Sequence, residues 1–167
     1  MTSKESILPR LYLDVDGVVL ANAPRFKEIG AYKNIPYAKE AARRLGGLSV
    51  EGVWLTTMIP QLPDLTENLG LTCMRRWLPR PPEFDFDEDD QDENTYHASW
   101  KYHALIRDQE NSASPFIWID DRLTPSIVTA AAERFTDRPY LIIKTDNQVG
   151  LRREHLQRVE DFCQQQQ

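Results

Sequence analysis

Three short apolar runs stop at oxygen-bearing side chains, and this recurrence limits what the chain can fold into. Leu11 to Val15, in LYLDV, ends in acid, with Asp16 and Gly17 directly after it. Val53-Trp54-Leu55 ends at Thr56 and Thr57, and Phe116-Ile117-Trp118-Ile119 ends at Asp120 and Asp121. Short runs that are apolar throughout, rather than alternating, read as strands buried on both faces. Tyr140 to Ile143 is a fourth run of this kind. A weaker candidate spans Thr72 to Leu78, after the Leu69-Gly70-Leu71 break.

Helical periodicity fills the intervals. Tyr37, Ala38, Ala41, Ala42 and Leu45 mark one face, closed by Gly46-Gly47. Ala98, Tyr102, Leu105 and Ile106 mark a second. Ile127, Val128, Ala131, Ala132 and Phe135 mark a third, with Thr124 as cap before a first-turn Pro125. Leu156, Val159 and Cys163 mark the last. Strands alternating with helices predict an α/β fold: a three-layer, Rossmann-like parallel sheet of about five strands. A length of 167 residues suits one domain.

Two segments break the pattern. Residues 79–94 are rich in proline and then strongly acidic, which reads as a solvated loop, with a lid or partner-binding arm as the functional alternative. Residues 164–167 read as a frayed tail. No interval between the apolar runs offers the ~50 residues a folded cap domain needs, so the crevice is expected to have a minimal cap and to be open. Arg25, Lys27 and Lys33 in the first long loop read as surface charge, or as groups that meet an anionic substrate.

A net charge of −6 gives no electrostatic footprint for duplex DNA or anionic membranes, although a nucleic-acid end as substrate stays open. Cys73 and Cys163 read as free thiols of a reducing compartment. The start of the chain is polar and no run approaches ~20 apolar residues, so a soluble, cytoplasmic protein without membrane contact is expected.

In parallel α/β sheets ligands bind beyond the carboxyl ends of the strands. If the three runs are neighbours, Asp14, Asp16, Asp120, Asp121 and Thr56 converge. Crowded carboxylates raise one another's pKa, and a divalent cation is the common remedy. An all-oxygen set without His or Cys suits Mg²⁺. A carboxylate beside Mg²⁺ can attack phosphorus, and a second acid two residues on can protonate the leaving oxygen and then activate water. Gly17 permits the tight turn and leaves room for phosphate.

The run LYLDVDGVV resembles the first motif of the haloacid dehalogenase superfamily. The resemblance implies Asp14 as nucleophile and Asp16 as acid/base. VWLTT resembles the second motif, whose hydroxyl binds the phosphoryl group; Thr56 fits best, with Thr57 as fallback. Lys101, in WKYHAL near a helix start, resembles the lysine of the third motif, which neutralises nucleophile and phosphate. FIWIDD resembles the fourth motif, implying that Asp120 and Asp121 complete a Mg²⁺ shell with Asp14 and Asp16. The run IDDR also looks like that of polynucleotide 3′-phosphatases, with Arg122 beside the acids, and the motif set is similar to small bacterial domains grouped with RNA-repair systems.

The implied activity is a Mg²⁺-dependent phosphatase acting through an aspartyl-phosphate on a phosphorylated small molecule or nucleic-acid end. The alternatives are a 3′-phosphatase or repair component, and a non-catalytic phosphate-binding or regulatory module. A dehalogenase is the remotest, since that chemistry needs no metal shell. His97 and His103 read as surface or core-edge groups, and Trp54, Trp100 and Trp118 as packing. Asp146, after the last run, is a remote candidate for the site.

Overall fold

A computed structural model of the chain describes residues 7–20, 36–57, 60, 62–84 and 93–167, with side chains at 36–39 and 93–96 outside the description. Arg25, Lys27, Lys33, Tyr37, Ala38 and the acidic stretch 85–92 fall outside the described side chains.

Five strands form one wholly parallel sheet: β1 (Arg10–Leu13), β2 (Glu51–Trp54), β3 (Met74–Trp77), β4 (Phe116–Asp120) and β5 (Tyr140–Lys144). Among the described residues, five helices separate or follow them: α1 (Pro36–Gly46), α2 (Leu62–Leu69), α3 (Glu93–Glu110), α4 (Pro125–Arg134) and α5 (Arg153–Gln165). A short 3₁₀ turn, Pro82–Phe84, opens the proline-rich stretch. The strand order is β3-β2-β1-β4-β5. From β1 the chain winds outward through β2 to β3, then crosses back through α3 to lay β4 on the other side of β1. The winding direction therefore changes between β1 and β4, the place where an open α/β sheet forms a crevice.

All the strands but the edge strand β3 feed two apolar layers, as fully apolar runs require. Leu11, Leu13, Ile117, Ile119 and Ile143 pack with Ala41, Ala42 and Leu45 of α1, Leu65 and Leu69 of α2, and Leu156, Val159 and Cys163 of α5. Tyr12, Val53, Phe116 and Trp118 face the other way, onto Trp100, Ala104 and Leu105 of α3, Ala131 of α4 and Phe135 at its C-terminal cap. Successive side chains alternate between these faces, so the even-numbered acids Asp14 and Asp120 follow Tyr12 and Trp118 toward the α3 side. Leu13 is fully buried between Trp54 and Ile119 in the ladder. Truncating a leucine in such a place to alanine costs about 2–5 kcal/mol.

Thr124 caps α4 as its sequence position implies: its hydroxyl accepts the Ile127 amide at 3.4 Å, and Pro125 occupies the first turn. The predicted apolar face of that helix is narrower than the sequence suggests. Ala131 and Phe135 are buried, whereas Val128 and Ala132 are exposed: among the described helices α4 packs chiefly on α3, and these two residues lie off that contact.

A polar network ties α3 to the opposite end of the sheet. Asp108 accepts two hydrogen bonds from Arg76, at 2.7 and 2.8 Å, one from Arg10 at 3.1 Å and one from the Tyr12 hydroxyl at 2.6 Å. Gln109 donates to the Tyr12 hydroxyl at 2.8 Å, and Glu51 accepts from both Arg10 and Arg76. Such bidentate, charge-assisted contacts fix geometry as well as adding energy. They anchor α3 to β1, β2 and β3 at Asp108. Lys101, seven residues earlier, lies two turns away on the same side of the helix, about 10 Å toward the carboxyl ends of the strands.

Candidate functional site

Asp14 is the first residue beyond β1, and its amide still donates to the Ile119 carbonyl of β4 at 3.2 Å. The chain then turns sharply. The Val15 carbonyl accepts the amides of Val18, Val19 and Leu20, and the Gly17 amide donates to the Leu20 carbonyl at 2.7 Å. Gly17 sits at φ +70°, in the left-handed region. A Cβ there would stand 2.5 Å from the carboxyl carbon of Asp121. The glycine predicted from turn chemistry is thus needed twice, for its backbone angle and for the approach of an acid from another strand.

The turn and the end of β4 bring three carboxylates together. Oxygens of Asp14, Asp120 and Asp121 all lie within 4.8 Å of one another. Lys101, reaching from α3, places its Nζ 2.5 Å from Asp14 Oδ2 and 2.6 Å from Asp120 Oδ2. Asp14, Asp120 and Lys101 are all buried. The second oxygens are held by backbone: the Val15 amide donates to Asp14 Oδ1 at 2.8 Å, and the Arg122 amide to Asp120 Oδ1 at 2.9 Å. Asp121 differs. Its Oδ1 is buried and has no hydrogen-bond partner among the described residues.

The electrostatics follow from this crowding. Burial raises the Asp14 carboxyl well above the ordinary carboxylate range; the Lys101 charge opposes this and the Asp120 charge adds to it. Burial, and then the neighbouring Asp120, raises Asp121 as well. Burial alone would discharge Lys101, but the charges of Asp120 and Asp14 outweigh it, and its pKa stands above the ordinary lysine value. One ammonium among three acids leaves surplus negative charge in a confined place.

The donor set fits a hard divalent cation. All ligand atoms are oxygens, and no histidine or cysteine belongs to the group. The orphaned Asp121 oxygen is the kind of buried polar atom that calls for a partner, and a cation supplies one. Mg²⁺ bound through a few carboxylates, with water or phosphate completing its shell, matches such a group.

The remaining predicted residues divide. Thr56 is buried at the end of β2, beside β1, while Thr57 is exposed. Asp16 is half-buried in the turn, bridged to Leu20, and is not a member of the three-acid group. Arg122 is half-buried, and its backbone serves Asp120. Lys101 lies well inside α3 rather than near its start, because that helix begins at Glu93. The His97 Nδ1 accepts the Trp100 indole N–H at 3.3 Å, and His103 is exposed against the Phe84 ring. Asp146 is exposed and accepts the Gln148 amide within its own loop at 2.8 Å. Trp54, Trp100 and Trp118 are core residues. Cys73 and Cys163 are free and buried.

Sequence reasoning passed over Thr145, the residue directly after β5. It is buried, its hydroxyl donates to the Gly17 carbonyl at 2.7 Å, and its amide donates to the Asp120 carbonyl at 3.2 Å. A polar residue directly after an apolar strand was the available signal.

Fold and site together define a Rossmann-like α/β protein with a buried acidic cluster able to hold a metal ion at the crevice of its sheet. Comparison with protein-family models, with curated proteins and with solved structures gave no match. No helix among the described residues is long and apolar enough to cross a membrane.

Proposed function

We propose that the chain is a Mg²⁺-dependent phosphohydrolase of the haloacid dehalogenase type, cleaving a phosphate monoester through an aspartyl-phosphate. The observation that carries this reading is the convergence of Asp14, Asp120 and Asp121 on one point with the Lys101 ammonium against two of them. Asp14, Asp120 and Asp121 would hold Mg²⁺, with Asp16 beside them in the turn. The ion, when bound, offsets the charge of phosphate and carboxylates.

Asp14 supplies the nucleophile. Its Oδ forms a bond to phosphorus while the ester P–O bond breaks, and Asp16 delivers a proton to the departing oxygen. Asp16, now a carboxylate, takes a proton from water as that water attacks the aspartyl-phosphate. Inorganic phosphate leaves and Asp14 is restored. In this reading Thr56, buried at the end of β2, and Lys101 bind the phosphoryl oxygens, and the Gly17 turn, Thr57 and Arg122 contact the substrate. Substrates are phosphorylated small molecules or nucleic-acid ends, and the free buried thiols suit a reducing cytoplasm.

The test is release of phosphate from an aryl phosphate with and without Mg²⁺, for the wild type and for Asp14→Asn. Mg²⁺-dependent turnover that disappears in a folded Asp14→Asn supports the reading. Full turnover by Asp14→Asn sinks the mechanism. Mg²⁺-dependent binding of phosphate with no turnover points instead to a phosphate-sensing module.

A further inference from the structure

The β1–β4 ladder ends at the Asp14 amide, and beyond it one threonine bonds to the backbone of both acid-bearing segments. β1 delivers Asp14 and the Gly17 turn; β4 delivers Asp120 and Asp121. Thr145, on the far side of β4 from β1, touches both. Its amide extends the β4–β5 ladder by one step, to the Asp120 carbonyl at 3.2 Å, and its hydroxyl reaches past β4 to the Gly17 carbonyl at 2.7 Å. The residue is buried, so neither bond competes with bulk water. Farther along the same loop, the Leu151 amide donates to the Val18 carbonyl at 2.9 Å.

The spacing of the carboxylates depends on this junction. Gly17 packs directly on the Asp121 carboxyl group, so where Gly17 sits decides where Asp121 sits. The Leu151 amide holds the turn at Val18, whereas Thr145 holds it at Gly17 itself, the residue packed on Asp121.

We propose that Thr145 is a positioning residue of the acidic site: by holding the Gly17 carbonyl and the Asp120 backbone at once, its hydroxyl and amide set the separation at which the three carboxylates bind a divalent cation. The proposal rests on the metal-site reading above. Outer groups that orient metal ligands typically matter by about 10–100-fold in metal affinity or activity.

The experiment measures Mg²⁺ affinity by calorimetry, kcat and KM on an aryl phosphate, and thermal unfolding, for the wild type, Thr145→Val and Thr145→Ser. Thr145→Val keeps the shape and loses the hydroxyl; it is expected to stay folded, bind Mg²⁺ about 10–100-fold more weakly and lose kcat with little change in KM. Thr145→Ser keeps the hydroxyl and is expected to retain wild-type affinity. A folded Thr145→Val with wild-type Mg²⁺ affinity overturns the proposal, as does a Thr145→Ser as weak as Thr145→Val. If Thr145→Val does not fold, Thr145→Ala carries the same comparison with Thr145→Ser. A wild-type protein that takes up no Mg²⁺ fells the metal-site reading and this inference with it, an outcome distinct from failure in the variants alone.

Discussion

The backbone of Gly17 lies so close to the carboxyl group of Asp121 that a methyl group at position 17 would meet it at 2.5 Å. These residues come from two different strand ends, yet each limits where the other can stand. Gly17→Ala therefore carries two penalties: the left-handed backbone, at about 1–2 kcal/mol, and displacement of an acid from the cluster. Urea unfolding should show at least the backbone cost. Mg²⁺ affinity should fall further than in a variant of equal stability mutated away from the site.

Among the described residues, Lys101 is the cation that bridges Asp14 and Asp120, and it is buried with both. Lys101→Met removes the ammonium and leaves Asp14 and Asp120 as buried, uncompensated charges, a change that costs about 3–5 kcal/mol. Phosphatase turnover should disappear. Saturating Mg²⁺ should restore part of the lost stability, since a dication can take over the electrostatic duty of the ammonium. Unfolding midpoints with and without Mg²⁺ provide the check.

The far end of the sheet governs acid stability. Burial by itself would raise the Asp108 carboxyl, but hydrogen bonds from Arg76 and Tyr12, with the charges of Arg76 and Arg10, outweigh it and hold the group below the ordinary carboxylate range. A carboxyl depressed in the folded state stabilises the fold at pH values above its unfolded pKa of about 3.9. That contribution is lost as pH falls from there through the lower folded value. Urea midpoints measured from pH 6 downward should drop in this window. In Asp108→Asn the curve should start lower and show a shallower acid slope.

Much of this architecture was legible from the chain. LYLDV, VWLTT and FIWIDD are apolar without alternation, and each is a central strand covered on both sides; even the weaker stretch around Met74 is a strand. The convergence of Asp14 with Asp120 and Asp121 followed from strand ends meeting at a parallel sheet's carboxyl edge. Asp16 shows the limit of that logic. Two residues past Asp14 would restore the same face in a strand, but the chain has already left the strand and turned at Val15, so Asp16 sits in the turn beside the three-acid group and not within it. Asp108, Tyr12 and Arg10 form a network across sequence separations that no local pattern encodes, and Thr145 reaches Gly17 across 128 positions. Such contacts exist only once the strand order is known.

Asp108 and Lys101 ride on one uninterrupted helix, clamped to the sheet at the first and presented to the carboxylates at the second. The helix behaves as a measuring rod. Inserting or deleting a single residue between the two positions would swing the ammonium by about 100° around the axis and carry it off the acids, even with every side chain of the site retained. The length of that segment is thus as much a part of the site as the acids themselves.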